Sequence, residues 1–355
     1  MKIDISKYVP DDFTRKLLLD TYDSGNLVQG KMVETFEQGC CEMSGAKYAA
    51  AVSNGTVAIT LMLAVQETTK PIQVITNPLS FIATRNAIKH AGCIPRFVDV
   101  NYETGMLNQE QVRSKAFELH DNYCVFVAPV DLHGDRDPIE KQYPVSTFLR
   151  DSSQAHGLKI QESDDAMSFS FHASKNATAG EGGVVVSNDE NLIEEIKLLR
   201  NHGMDSNRNI VRGGAYNARM TDLQAAVGVG SLSQLNLTNE MRTNNACYYD
   251  EWLFERLIED REDSNLRLPR EQNIYHHYVL RHPQAEKIIT ILRYKGIDAR
   301  RYYDKLIAPN SYTLPNAQRI CDESFCIPVH EHLTKEEREF IVDSVIEVVR
   351  HLDHD

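Results

Sequence analysis

Apolar positions along the chain follow two rhythms. In the first 45 residues they recur at helical spacing. A helix is expected from about Asp11, with Gly25 just past its end, and another over Lys31 to Glu42, where Met32, Val33, Phe36 and Cys40 fall near one face. The ten residues before Asp11 read as an arm. From about Ala49 to Ser187, short β-rich runs alternate with helical ones. Strands are expected at AAAVS (49–53), IQVIT (72–76), IPRFVDV (94–100), YCVFVAP (123–129), VSTFL (145–149), AMSFSF (166–171) and GGVVVS (182–187). Helices are expected over Thr56 to Gln66, Phe81 to His90 and Asn108 to Leu119, with a short one around Pro138.

This alternation implies an α/β fold with a mainly parallel, seven-stranded sheet between helices. In such sheets ligands sit beyond the carboxyl ends of the strands, so the residues just after each strand carry most interest. Ser187 to Glu190 has capping-box spacing ahead of LIEEIKLLR. A polar stretch, His202 to Arg219, precedes an amphipathic helix starting TDLQAAVG. Near Asn236 the pattern shifts to long helices and weaker strands. Tyr275 to His282 reads as a strand, Ala285 to Lys295 as a helix ended by Gly296, and Thr334 to Glu337 as a second capping box. Two domains are therefore expected, an N-terminal arm with a large domain over 1–235 and a smaller C-terminal α+β domain over 236–355.

Composition narrows the function classes. Thirty-eight Lys and Arg against 51 Asp and Glu give a net charge of −13, which argues against a general nucleic-acid or anionic-membrane binder. The longest apolar run, Val57 to Val65, is too short to span a bilayer, and the N-terminus lacks a signal-peptide core. Seven cysteines without a Cys-x-x-Cys read as small buried hydrophobes in a reducing compartment, so cytoplasmic residence is expected. The histidines, including the pair His276–His277 and His351 with His354, show no metal-ligand spacing backed by acids.

Three strand-end features could carry chemistry. Ser53–Thr56 opens a helix, whose free N–H groups suit a phosphate, though the same run serves as an ordinary cap. Asp151 follows a strand and is followed by Gln154; it reads equally as an N-cap or as a functional acid. Lys175 lies in a small-residue loop between two strands, with Ser170 before it and Gly180, Gly182 and Gly183 after it. Alone it reads as a solvated charge, or as an amine that condenses with a carbonyl if burial depresses its pKa. One ligand accounts for all three. Pyridoxal phosphate needs a phosphate cup, an acid at its pyridine nitrogen and a lysine for its aldehyde.

The segments SNGTVAI (53–59), SFIAT (80–84), PRFVDV (95–100), DSSQAHG (151–157), SFSFHASKNATAGEGGVVVSND (168–189), LLRNHG (198–203), YNARMTDLQAAVG (216–228) and IPVHEHLTKEE (327–337) resemble those of the DegT/DnrJ/EryC1/StrS nucleotide-sugar aminotransferases. The resemblance implies a fold-type-I pyridoxal-phosphate transferase. It places the Schiff-base lysine at Lys175, the acid of the pyridine nitrogen at Asp151 and the neighbour of the ring hydroxyl at Gln154. Gly55, Thr56 and Val57 match the backbone phosphate cup, Ser170 the serine that also holds phosphate, and Phe81 the stacking aromatic. Asn217 matches an asparagine reaching the phosphate from a neighbouring subunit, which implies a homodimer with shared sites. Arg219 and His330 match positions near the sugar-nucleotide pocket.

The implied reaction moves an amino group from L-glutamate to a nucleotide-linked keto sugar, with the cofactor cycling between pyridoxal and pyridoxamine phosphate. Amination of another ketone such as a cyclitol, or a silent cofactor- or sugar-nucleotide-binding regulator, are the alternatives. The family's dehydratases resemble this pattern but carry histidine at the lysine position. Departures from the family pattern cluster at Asp131, Arg150, Ser152, Ser153 and His172. Tyr302–Tyr303, behind Arg300–Arg301, reads as a nucleotide-contacting loop or as a solvated basic edge.

Overall fold

The computed structural model describes residues 2–259, 264–269 and 274–353, so His354 lies outside the described residues. Helix α1 (Asp12–Asp23) is capped by Asp11, whose side chain accepts from Thr14 N, and α2 (Lys31–Ser44) ends at Gly45 in the left-handed conformation. The sheet-bearing part follows as β1 (Tyr48–Val52), α3 (Gly55–Ala64), β2 (Ile72–Thr76), α4 (Ile82–His90), β3 (Ile94–Phe97), α5 (Gln109–Leu119), β4 (Cys124–Ala128), β5 (Thr147–Asp151), β6 (Ala166–Ser170), β7 (Gly183–Ser187) and α6 (Glu190–Arg200). The strands form one seven-stranded sheet in the order β1-β7-β6-β5-β4-β2-β3. Only β7 runs against its neighbours; every other pairing is parallel.

The chain continues through α7 (Asp222–Leu253), β8 (Tyr278–Arg281), α8 (Ala285–Tyr294), α9 (Pro315–Glu323), β9 (Ser324–Ile327) and α10 (Lys335–Leu352), with β8 and β9 paired antiparallel. Helix α7 is shared between two cores. Ala225 and Leu235 pack with Phe36, Phe169 and Phe171 over the sheet. Ala246, Tyr249 and Leu253 pack with Ile288, Leu292, Phe325, Val345 and Val349. The arm reaches this second core, since Ile3 N donates to Gly296 O at 2.9 Å and its side chain is buried there.

Four local expectations are corrected. No helix forms at Pro138; the chain makes a 3-10 turn at Leu132–Gly134 instead. The buried Asp137 carboxylate accepts from Leu107 N and Ile139 N, and this pins the segment in an extended path. The box expected at Ser187 is not made. Ser187 is the last residue of β7 and donates to Asp165 O, so the N-cap of α6 is Asp189. β3 ends at Phe97 because the chain turns to let the Asp99 carboxylate take Asn316 N and Ala317 N, at 3.0 and 2.9 Å, at the start of α9. β5 lies two residues further on than expected, which makes Asp151 its last residue rather than the one after it. The box at Thr334–Glu337 is present in both directions.

Register brings the first turn of α3 onto β7. Gly183 pairs with Val52 on one side and Ser170 on the other. A Cβ at Gly183 would stand 2.3 Å from Asn54 O, so only glycine lets the β1–α3 turn sit this low. Gly183→Ala is therefore expected to cost about 1–3 kcal/mol by overpacking. Denaturant titration against Thr334→Ala, a cap loss of about 1 kcal/mol, checks this; a Gly183→Ala variant as stable as wild type would refute the close approach.

Candidate active site

The start of α3 is a cradle. First-turn amides of a helix have no partner within it, and Asn54 Oδ1 takes that of Val57 at 3.0 Å. Gly55 and Thr56 are left to donate outward. Ser170 closes the cradle, because a Cβ on Gly55 would lie 2.9 Å from Ser170 Oγ. Of the three expected cup residues, Val57 thus has its amide already engaged, while Gly55, Thr56 and Ser170 converge.

Asp151 is buried at the end of β5. Thr84 Oγ1 donates to its Oδ2 at 2.7 Å, and Ser153 N to its Oδ1 at 3.2 Å. Since Thr84 has given its proton to the carboxylate, Ser80 must donate to Thr84 across their 2.7 Å contact. Ser80 and Thr84 lie in SFIAT, where the sequence directed attention to Phe81 alone. Phe81 itself caps α4 and is 64% exposed, an aromatic face turned outward at the rim.

Lys175 lies in the loop after β6. Burial pulls its amine down to about 8, with the Asp151 charge acting in the opposite direction. The rings around it stay neutral. His156 falls to about 3 through burial and then the nearby Lys175 charge, and burial likewise carries His276 and His277 well below their usual value. A chain of amides fixes one tautomer. His156 O can only accept, so Asn239 Nδ2 faces it at 2.9 Å and Asn239 Oδ1 accepts from Asn176 Nδ2. Asn176 Oδ1 then faces His276 Nδ1 at 3.1 Å, which must carry the proton.

Gln154 lies on the other side of Asp151, buried among His133, Tyr302 and Tyr303. Tyr302 and Tyr303 thus point inward at Gln154 and are neither a basic edge nor free. Three other residues stand further off. Asn217 is exposed on a segment whose neighbour Ala218 accepts from Ser53 N at 2.9 Å, just before the cradle. Arg219 is half-buried and donates to Asn201 Oδ1 at 2.8 Å. His330 is buried near Arg242 and Glu331, and burial pushes its imidazole down to about 4. Among the described residues no group of three or more His, Cys, Asp or Glu is placed to hold a metal ion, and no helix is long and apolar enough to cross a membrane.

A family model for the DegT/DnrJ/EryC1/StrS aminotransferases matches residues 10–346. The chain belongs to this family. It is 30% identical over 359 residues, 91% of each chain, to a Campylobacter jejuni UDP-4-amino-4,6-dideoxy-N-acetyl-beta-L-altrosamine transaminase. Among solved structures it superposes with a TM-score of 0.86 and 25% identity on Helicobacter pylori PseC, described as an aminotransferase of pseudoaminic acid biosynthesis, covering 99% of this chain and 100% of that one. It shares its fold with a putative sugar aminotransferase of Streptococcus pneumoniae in a PMP form, at TM-score 0.85 and 22% identity, over 100% of each. As a DegT/DnrJ/EryC1/StrS protein it is a pyridoxal-phosphate-dependent aminotransferase of fold type I.

Three of the departures from the family pattern, Asp131, Arg150 and Ser152, form one buried network, while Ser153 bonds Asp151 and His172 is exposed. Arg150, 1% exposed, donates from Nη1 to Asp131 Oδ1 at 2.9 Å and from Nε to Asp164 Oδ1 at 2.7 Å. Ser152 Oγ donates to Asp131 Oδ2 at 2.5 Å. Arg150→Met would leave Asp131 buried without its paired cation and Asp164 with Arg136 alone, an expected loss of about 3–5 kcal/mol in denaturant unfolding; a loss under about 1 kcal/mol, as for a surface pair, would contradict the buried network. The Lys175 setting predicts a second result. In cofactor-free protein, labelling of Lys175 by an amine reagent, followed by peptide mass spectrometry, should rise with a midpoint near 8, against about 10.4 for ordinary lysines. Asp151→Asn should move that midpoint lower, because it removes the charge that favours the ammonium.

Proposed function

We propose that this enzyme transfers an amino group from L-glutamate to a nucleotide-linked keto sugar, using pyridoxal phosphate regenerated through its pyridoxamine form. The observation that carries the reading is the cradle at Gly55, Thr56 and Ser170 together with the buried Asp151 carboxylate, whose charge acts on a Lys175 amine that burial pulls down to about 8. The named activity of the Campylobacter relative, a transaminase of a UDP-linked amino sugar, supports the acceptor class.

The residues present fit the cofactor. Gly55 and Thr56 would offer their amides, and Ser170 its hydroxyl, to the phosphate at the positive end of α3. Asp151, held by Thr84 and Ser153, would keep a proton on the ring nitrogen. Phe81 would cover one ring face. The bound cofactor supplies an aldehyde that accepts an amino group and a ring that takes up an electron pair. Lys175 Nζ would do the proton work, removing the proton from the donor's amine-bearing carbon in one half-reaction and delivering one to the acceptor carbon that gains nitrogen in the other. Donor and acceptor then use one site in turn, so ping-pong kinetics are expected.

The same reading takes 1–235 as the cofactor-binding domain, 236–355 as the smaller one, and the cytoplasm as location. It also takes the working form as a homodimer. Phe13, Leu19 and Tyr22 on α1, Val28 in the connection after it, and Val211 and Ile210 on the 202–219 stretch are exposed large apolar side chains, Ile210 at 78%. Such surface is usually covered in an oligomer. The exposed Asn217 on that stretch would serve the partner's phosphate, with Arg219 and His330 assigned to the sugar-nucleotide side.

The test is an absorption spectrum of the protein with pyridoxal phosphate, then with excess L-glutamate, comparing wild type with Lys175→Ala. Wild type should form a visible band that glutamate converts to the pyridoxamine form, and the variant should form none. A wild type without the band would refute the lysine assignment and favour the binding-regulator alternative. A band indifferent to glutamate would refute the donor.

A further inference from the structure

The hydrogen-bonding capacity of Gln154 is almost wholly consumed inside the protein. Its Oε1 accepts from His133 N at 2.9 Å and from the Tyr302 hydroxyl. A backbone N–H only donates, so the amide orientation is determined by bonding rather than by choice of fit. Nε2 must therefore donate to Tyr303 Oη, at 2.9 Å. Tyr302 has given its single proton to Oε1, so the 2.9 Å contact between the two hydroxyls runs from Tyr303 to Tyr302. The three side chains close a ring in which every proton has one direction. A single Nε2 N–H is left over.

We propose that Tyr302 and Tyr303 are positioning residues that lock Gln154 so that its remaining N–H, and no acceptor, is presented to the cofactor's ring oxygen. This rests on the reading that Gln154 lies beside that oxygen. A site offering only a donor selects the deprotonated oxygen, which can accept. The ring is well anchored. Ile307 N donates to Pro78 O at 3.0 Å, Arg85 Nη1 to Ile307 O at 3.0 Å, and Cys321 Sγ to Tyr303 O at 3.1 Å. Burial also pushes both phenols up, so they stay protonated as the ring requires. Cooperative donation around a closed ring makes each bond depend on the others.

The experiment uses full-length protein and titrates pyridoxal phosphate into wild type, Tyr302→Phe, Tyr303→Phe, Gln154→Ala and Tyr303→Phe/Gln154→Ala. It reads the dissociation constant and the pH midpoint of the visible band, with the thermal midpoint of each cofactor-free variant as a folding control. Loss of one ring member is worth about one hydrogen bond, so each Phe variant should weaken binding about three- to tenfold. It should also move the band's pH midpoint upward, toward that of Gln154→Ala, because a mobile amide no longer favours the deprotonated oxygen. In the Gln154→Ala background Tyr303→Phe should have no further effect on the midpoint. If Gln154→Ala shifts both readouts while the Phe variants match wild type, the lock is overturned and the cofactor reading stands. A Tyr303→Phe shift undiminished in the Gln154→Ala background overturns it too, as does a silent Gln154→Ala in a protein whose band still needs Lys175. A wild type that forms no band removes the cofactor reading, and the lock with it.

Discussion

One guanidinium removed from water holds the floor of the site. Taking a charge into a protein interior costs several kcal/mol, so it persists only where partners are placed on most of its donors. Arg150 meets that condition by gathering segments that are distant along the chain. Asp131 comes from the turn after β4, Asp164 from the β5–β6 connection, and Asp137 contributes its carbonyl oxygen at 3.0 Å. Arg136 joins through Asp164. Two arginines then face three acids, and burial raises the Asp137 carboxyl to about 7, so a proton can settle the balance. The cluster is expensive in isolation and cheap only when complete, which makes it a device for register rather than for bulk stability.

What the cluster fixes is the set of residues on either side of it in sequence. Asp151 follows Arg150 directly, and its backbone pairs with the β4 turn through Asp131 N to Asp151 O at 3.0 Å. Ser152, bonded to Asp131, sets the start of the turn that carries Gln154. His133, two residues past Asp131, supplies the N–H that orients Gln154. The acid and the amide of the site are therefore held by the same buried ion cluster. The cradle at Gly55 and Ser170 is held separately, by the register of β1, β7 and β6 across Gly183, and Lys175 lies in the loop that leaves β6. Two independent constraints thus set the two halves of the site.

Much of this was legible in the chain because it is local. β2 coincides with the apolar run that announced it, and capping at Asp11 and Thr334 follows from neighbouring side chains. Lys175, Asp151, Ser170 and Gly55 stand out because strand ends in an α/β sheet are identifiable from the alternation alone. The failures have a common cause. Ser187 has cap chemistry, but a carbonyl on another strand takes its hydroxyl. Pro138 follows a carboxylate committed to amides 30 and 2 residues away. Tyr302 and Tyr303 lie 148 and 149 residues from the amide they bond, and no periodicity encodes that distance. Arg150, Ser152 and Asp131 looked like scattered departures from a pattern, whereas in space each supplies what another needs.

The electrostatics around Lys175 show why so many polar groups can approach a reactive amine without disabling it. An amine is useful as a nucleophile and base only if its ammonium is disfavoured, and nearby anions work against that. The structure places a single interacting carboxylate there, Asp151. The remaining neighbours are imidazoles kept neutral by burial, His156, His276 and His277. The guanidinium of Arg242 is paired with Glu331 at 2.8 Å, and its charge adds to burial in keeping these imidazoles neutral. Histidines suit this shell because a neutral ring can be both donor and acceptor without adding charge, and at His276 the amide chain through Asn176 and Asn239 dictates which nitrogen donates. His156 and the His276–His277 pair thus supply a polar but uncharged wall, and burial against that wall depresses the lysine while the one carboxylate it faces opposes the shift.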